Sequence, residues 1–265
     1  SVLEMRMRAA MEIRSIANPA IKELFWLRKG RARHRAERGG LALLRGRQLI
    51  QGVGEHFRFK KVFTHEGKDK LGGYNAESVV RADKEVLRHV LFGQSHTAQE
   101  YAKTLDDDEF VIGTIEQPAP VRDFEEKPRW LLAVDGVQHP ENMGLLLSTA
   151  VALKYDGVFL TGTCIDPFNY KVLEASQAVA WTLPYRFGTA DELAELCKRH
   201  RLASCAAHLD GDPLTELPPL PKDREGFCIA IGSEAGGVGP ELLRASRRIR
   251  LPMSELADSL NAGVA

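Results

Sequence analysis

The stretch GFCIAIGSEAGGVGPEL, residues 226–242, is the key to the fold. Its first seven residues, GFCIAIG, are almost wholly apolar. So short a run suits a strand covered on both faces, as in a parallel sheet. The run breaks into a loop with glycines at 232, 236, 237 and 239, and GPELLRAS (239–246) then reads as a short helix. Strand, glycine-rich turn and helix in that order form one unit of an open α/β sheet, and such sheets bind ligands at the carboxyl ends of their strands. The turn has neither the Lys-Ser/Thr of a phosphate-binding loop nor the spacing G-x-G-x-x-G. Glu234 inside it would repel phosphate. That disfavours a nucleoside triphosphate and favours a ligand carrying positive charge or hydroxyl groups. Taken alone, the loop is equally well a plain strand-to-helix connection, although its backbone amides could hold an adenosine or a carboxylate.

The same pattern extends outward in both directions. WLLAVDGV (130–137), GVFLTG (157–162) and RLASCAAHL (201–209) are further buried strands, and LPYRF (183–187) and RRIRLPM (247–253) complete the set. A helix is expected from about Met143 to Lys154. KVLEASQAVAW (171–181) reads as helical and ADELAELCKRH (190–200) as an amphipathic helix. Upstream, EQPAPVRDFEEKPRW (116–130) holds three prolines and a charge cluster and reads as a boundary. The expected organisation is a small α/β domain over 1–117, a linker over 118–127, and a parallel-sheet domain over 128–265. In the first domain Asn18-Pro19 reads as a helix start, with the helix running on through the basic stretch to Gly39-Gly40. LALLRG, FKKVFTH, SVVRA and DEFVIGTI are strand candidates, RQLIQGVGEHF is helical, and Asp83 is placed to cap KEVLRHVLF. GQSHTAQEYAKTLDD (93–107) reads as a helical insertion with no clear chemistry.

No apolar run in the 265 residues approaches the roughly 18 to 20 needed to span a bilayer. The start SVLEMRMRAAMEIRS has no apolar core of a secretory signal, so the expected compartment is the cytoplasm or an organellar matrix. The net charge of zero hides an asymmetry: residues 1–61 carry 15 Lys/Arg against five Asp/Glu, a net +10, and the remainder is −10. This basic block, with Arg28, Lys29, Arg31, Arg33, Arg35 and Arg45 as the candidate contacts, points to nucleic acid; the plain alternative is a solvated helix face. Of the four cysteines, Cys197 and Cys205 each have a His three residues on, His200 and His208. A zinc site from both pairs is disfavoured, because the second pair lies in a likely strand, where residues three apart face opposite ways. Core thiols in a reducing compartment are the preferred reading, and no metal is expected.

Three loops, each after a buried strand, carry the functional signal: DGVQHPENMGLLLSTA (135–150), GSEAGGVGPEL (232–242) and LPMSELADSLNAGVA (251–265). Asn142, Ser259 and Asn261 could each simply cap a helix. In this order, however, Asn142-Met143-Gly144, then Gly232-Ser233-Glu234, then Leu251-Pro252-Met253 with Ser259-Leu260-Asn261 resemble the three signature motifs of the SpoU (TrmH) family of RNA ribose 2′-O-methyltransferases. DPFNYKVLEASQAV (166–179) resembles the segment between the first two. The resemblance is close over 128–265. It continues more loosely into RSIANPAIKELFWLR and GGLALLRGRQLI, which look like the small RNA-binding domain that often precedes the catalytic one.

The resemblance implies a trefoil-knotted parallel-sheet domain, S-adenosyl-L-methionine as cofactor, and a dimer whose interface completes the active site. It implies that Asn142, Glu234, Ser259 and Asn261 form the polar wall around the acceptor ribose. Leu160, Thr161, Gly162, Ile231, Gly232 and Gly236, with Leu251, Met253 and Leu260, become the expected cofactor contacts. There is one departure. Six residues after the first-motif Asn the family usually places an Arg that helps activate the ribose hydroxyl, and here that position is Ser148. A guanidinium offers five donors and a fixed charge, a serine hydroxyl one weak donor. The family also usually continues past SLN into a further helix. Two functions are therefore expected: a methyltransferase acting on structured RNA, ribosomal more than transfer RNA; or a catalytically weak relative that binds RNA as a ribosome-assembly factor, as a homodimer or paired with an active homologue.

Overall fold

The computed structural model describes residues 12–29, 40–65, 73–93, 95–124, 127–161, 164–216, 219–254 and 259–264. The chain divides into two compact units, residues 1–117 with 168–170, and residues 118–167 with 171–265.

In the first unit the chain runs α1 (Pro19–Arg28), β1 (Leu41–Arg45), α2 (Arg47–Gly54), β2 (Phe59–Thr64), β3 (Ala76–Arg81), α3 (Lys84–Phe92), α4 (His96–Lys103) and β4 (Ile112–Glu116). Asn18 Oδ1 accepts from Ala20 N at 2.9 Å and Asp83 Oδ1 from Glu85 N at 2.8 Å, so both predicted caps satisfy an orphan helix amide. The sheet order is β1-β4-β2-β3, antiparallel except for the β2–β3 pair. Ile21, Leu24 and Leu27 recur at helical spacing on α1 and pack with Val86, Leu87, Val90 and Leu91 of α3 against Phe63 and Ile112 of the sheet. DEFVIGTI is only half strand: residues 107–110 form a 3-10 turn that drives Phe110 into this core. The expected extension of α1 through residues 30–39 lies outside the described residues.

The second unit holds β5 (Trp130–Asp135), α5 (Pro140–Ala152), β6 (Gly157–Thr161), α6 (Tyr170–Ala175), β7 (Tyr185–Phe187), α7 (Ala190–Arg199), β8 (Leu202–Pro213), β9 (Gly226–Gly232), α8 (Pro240–Ala245) and β10 (Arg247–Arg250). All of its strand pairs are parallel, in the order β10-β8-β9-β5-β6-β7. From β5 the chain winds outward to β7, then returns on the other side, where β9 inserts between β8 and β5. The β5–β9 junction is thus the topological switch point, the place where such sheets open a crevice at their carboxyl edge. One face of the sheet is covered by α7 and α8 through Leu193, Leu196, Cys197 and Leu242. α7 is fixed at its start by a capping box between Thr189 and Glu192.

Three expectations change. Residues 118–127 are not a free linker where the structure describes them. Phe124 is 4 % exposed within the second core, Val121 N donates to Tyr185 O at 2.8 Å, and Asp123 binds His200 and Arg199. Burial pushes the Asp123 carboxyl up, but the hydrogen bonds from His200 and Arg199 together outweigh it and hold it below the usual carboxylate range. KVLEASQAVAW is not one helix: α6 stops at Ala175, Gln177 and Ala178 turn left-handed (φ +51° and +58°), and a 3-10 turn follows over 179–182. The break lies beside Gly144 of α5, where an added Cβ would stand 2.4 Å from Ala175 Cβ and 3.0 Å from Ser176 N, so the two segments meet too closely for a continuous helix to carry on past. Finally, β8 runs to Pro213 rather than 209, with residues 207–211 arching out between two sets of β10 pairs.

Candidate functional site

The carboxyl ends of β5, β6 and β9 meet in register: Asp135 is the partner of Thr161 on one side and of Gly232 on the other. Asp135 ties this edge together. Its Oδ1 accepts from Thr161 Oγ1 at 2.5 Å and its Oδ2 from Gly239 N at 2.7 Å, so one carboxylate joins β5, β6 and the loop after β9. Hydrogen bonds to an ionised acceptor are the stronger kind. Sequence reasoning missed Asp135; the available signal was an acid closing an apolar strand just before Gly136, whose φ of +66° makes the turn.

The loop after β9 closes on itself. Ser233 N donates to Gly237 O at 3.2 Å, Gly237 N to Ser233 O at 2.8 Å, and Gly236 N to Ser233 Oγ at 3.2 Å. Gly232 is required by contact: a Cβ there would stand 1.9 Å from Gly237 C and 2.2 Å from Val238 N, both backbone atoms. Glu234 sits exposed beyond this closure, and Ile231 and Gly232 are buried beneath it.

Asn142 does not cap α5. Pro140 occupies the first helical position and His139 the cap, without a side-chain cap bond, so the helix starts three residues before Met143 and Asn142 falls in its first turn. The residue is 6 % exposed, and its side chain makes no hydrogen bond to another described residue. Ser148 lies six residues further on, about 9 Å along the axis, and its Oγ donates back to Leu145 O at 3.0 Å. The serine hydroxyl is thus spent on its own helix.

At the end of the chain, Asn261 Oδ1 accepts from Gly263 N at 2.9 Å in a local turn, so Asn261 closes a turn rather than capping a described helix. That turn packs on α5, since a Cβ at Gly263 would be 2.9 Å from Leu145 Cβ. Leu251 and Leu260 are 37 % and 39 % exposed, Ser259 is exposed and Met253 half-buried. Leu160 and Thr161 are buried at the end of β6, and Gly162 lies outside the described residues. Cys164 follows, with Sγ 3.0 Å from Thr161 O; burial pushes its thiol up to about 11.

The basic candidates divide. Arg28 Nη1 donates to Val90 O at 2.9 Å at the end of α3, and Arg45 stacks over Phe92 and faces Glu109, so both serve the fold. Lys29 stands 5.6 Å from the exposed ring of Trp26. Arg31, Arg33 and Arg35 lie outside the described residues. Cys197, Cys205 and Cys228 are buried, His200 is committed to Asp123, and no three His, Cys, Asp or Glu gather around a metal position among the described residues. No helix of the described chain is long and apolar enough to cross a membrane.

The second unit is thus a parallel α/β sheet with a self-closed glycine loop at its β5–β9 switch point and Asn142 in the helix that follows β5. The family described as the SpoU rRNA Methylase family matches residues 129–265, and the chain belongs to that family. It is 32 % identical over 139 residues to a 23S rRNA guanosine 2′-O-methyltransferase of Bacillus subtilis, a match spanning 52 % of this chain and 54 % of the relative, so about half of each. It is 25 % identical over 267 residues to an uncharacterized tRNA/rRNA methyltransferase of Synechocystis, covering 96 % of this chain and 89 % of the other. An AdoMet-bound rRNA methyltransferase of Sinorhizobium meliloti shares the fold at a TM-score of 0.72 and 22 % identity, covering 96 % of this chain and 93 % of that one.

Proposed function

We propose that the protein is an S-adenosyl-L-methionine-dependent RNA ribose 2′-O-methyltransferase acting on structured RNA, ribosomal in preference to transfer RNA. The observation that carries this reading is the charge and shape of the β5–β9 edge. Asp135 and Glu234 place two carboxylates there, neither in an ion pair among the described residues, beside a loop closed tightly enough to exclude a Cβ at Gly232. Such an edge repels phosphate and suits a cofactor bearing positive charge. Backbone groups of Leu160, Thr161, Ile231, Gly232 and Gly236 would hold it, and Leu251, Met253 and Leu260 would give it apolar cover. When bound, the cofactor supplies a sulfonium methyl group.

The chain's own part is positional and electrostatic. The Asn142 carboxamide, without a side-chain partner among the described residues, would hold the acceptor ribose. Glu234 offers carboxylate oxygens to the 2′-hydroxyl proton, and Ser259 and Asn261 line the remaining side. The family's knot and its dimer belong to this reading, with the half-exposed Leu145 of α5 as part of the face a second subunit would cover. The basic first unit supplies RNA affinity, with Trp26 and Lys29 of the α1 end as contacts alongside the predicted Arg31, Arg33 and Arg35.

Ser148 favours a second reading. With its hydroxyl bonded to Leu145 O, it does not replace an arginine, and loss of one charge-stabilising group costs on the order of 10²- to 10³-fold in rate. A chain that binds cofactor and RNA without turnover would be an assembly factor, alone or paired with an active homologue. Calorimetry with S-adenosyl-L-methionine, followed by transfer of labelled methyl to total ribosomal RNA, separates the two. Cofactor binding with transfer supports the enzyme; cofactor binding with no transfer, in a homodimer, supports the assembly factor.

A further inference from the structure

Seven residues of the second unit, Arg244 to Arg250, carry four arginines: Arg244 in the last turn of α8, then Arg247, Arg248 and Arg250 on the edge strand β10. All four are exposed, while Ile249 between them is buried at 8 % and anchors the strand against Gly211 of the β8 arch. Elsewhere in this unit four arginines are held by acids, Arg186 by Glu192, Arg199 by Asp123, Arg201 by Glu225 and Arg224 by Asp223, while Arg122 and Arg129 stand singly without an ion pair among the described residues. On the strip only Arg247 is so held, by Asp212 at 2.8 Å. Arg244, Arg248 and Arg250 have no ion pair among the described residues.

A sheet edge does need charge to prevent pairing with other edges, but one charged residue does that. Exposed like charges this close repel one another unless counter-charges stand nearby. An unneutralised strip of guanidiniums within a chain that is −10 after residue 61 therefore calls for an external anion. Guanidinium forks match phosphate oxygens. Arg248 and Arg250, two residues apart, lie about 7 Å from one another along the strand, a separation similar to that of successive phosphates in a polynucleotide. The strand also leads directly into Leu251-Pro252-Met253 at the proposed cofactor edge.

We infer that the Arg244–Arg250 strip is an RNA-backbone contact surface of the second unit, separate from the basic block of the first, that guides the substrate strand toward the site. RNA as the occupant rests on the proposed function; the basic strip itself does not. The test uses the full chain and a fluorescent 20-nucleotide oligouridylate, titrated over a range of salt. Each phosphate contact on a single strand contributes about 0.7 to the salt slope. The double variant Arg248→Gln/Arg250→Gln should then lower the slope by about 1.4 and weaken binding about 25-fold at 0.1 M salt. Arg129→Gln, an exposed arginine at the amino end of the central strand β5, should change neither, and the Lys/Lys double variant should keep most of the slope.

An unchanged slope in the Gln/Gln variant, with an unchanged melting temperature, overturns the inference. So does wild-type protein that fails to bind the oligonucleotide, or that binds anionic phosphatidylserine vesicles through these arginines and not RNA. Methyl transfer is scored separately, on the wild-type chain. A slope lowered in the Gln/Gln variant, with no transfer by wild-type protein, upholds the strip and sinks the enzyme; transfer by wild-type protein with an unaltered slope in the variant does the reverse.

Discussion

Gly232→Ala isolates the closed loop at the heart of the site. The new Cβ would stand 1.9 Å from Gly237 C, 2.0 Å from Gly237 O and 2.2 Å from Val238 N. These are backbone atoms and have no rotamer with which to move aside, so the loop must open. Opening forfeits the paired Ser233–Gly237 hydrogen bonds, worth about 0.5–1.5 kcal/mol each, and any residual overpacking adds about 1–3 kcal/mol. The overpacking alone disfavours the closed conformer by about 1–3 kcal/mol, and cofactor affinity falls by the fraction still closed, roughly 5-fold to 150-fold. Gly236→Ala is the control: its Cβ meets only the Ser233 hydroxyl, at 3.4 Å, and should cost less than about threefold. Calorimetry with S-adenosyl-L-methionine, alongside thermal unfolding, reads both. A Gly232→Ala protein with wild-type affinity and melting temperature would refute the idea that loop closure builds the cofactor edge.

Other perturbations report on neighbouring parts. Asp135→Ala removes the acceptor for Thr161 and Gly239 and should cost about 2–4 kcal/mol, seen as a melting temperature lower by about 5–15 °C; a shift under 2 °C would mean the junction is not a tether. Ser148→Arg should raise methyl transfer on the order of 10²-fold, with cofactor affinity unaltered; no gain in rate would show that position 148 does not limit turnover. The Asp123 carboxyl is held low in the folded chain, so it contributes stability above the usual carboxylate range that is lost as the pH falls through its folded value. Asp123→Asn should accordingly lower stability at pH 7 by about 0.5–1 kcal/mol, a surface-pair value because the carboxylate is 36 % exposed, and the gap between the two proteins should close in acid. A gap constant from pH 7 to pH 3 would contradict the pairing with His200 and Arg199.

The central strands β5, β6 and β9 were legible because burial on both faces leaves an apolar run, and the caps at Asn18 and Asp83 because they are local. What stayed hidden was set by distant contacts. Nothing near Gln177 and Ala178 announces a left-handed turn, which follows the close approach of Ala175 to Gly144 on another helix. Apolar periodicity started α5 at Met143 and so made Asn142 a possible cap, although His139-Pro140 was the better start signal. Residues 118–127 looked like a linker by composition, yet Phe124 and Val121 are ordinary packing residues once β7 is alongside. The site was legible as three motifs and illegible as a junction: Asp135 has meaning only when β6 and β9 stand beside β5, which spacing along the chain does not disclose.

The central claim is tested most directly by the product. Wild-type protein, labelled S-adenosyl-L-methionine and ribosomal RNA are incubated, and the RNA is hydrolysed with alkali, which cannot cleave next to a 2′-O-methyl ribose. The account predicts label in alkali-resistant dinucleotides, and its loss in Asn142→Ala protein that still binds cofactor. Label in base-methylated mononucleotides, or 2′-O-methylation that persists in Asn142→Ala at the wild-type rate, would contradict it.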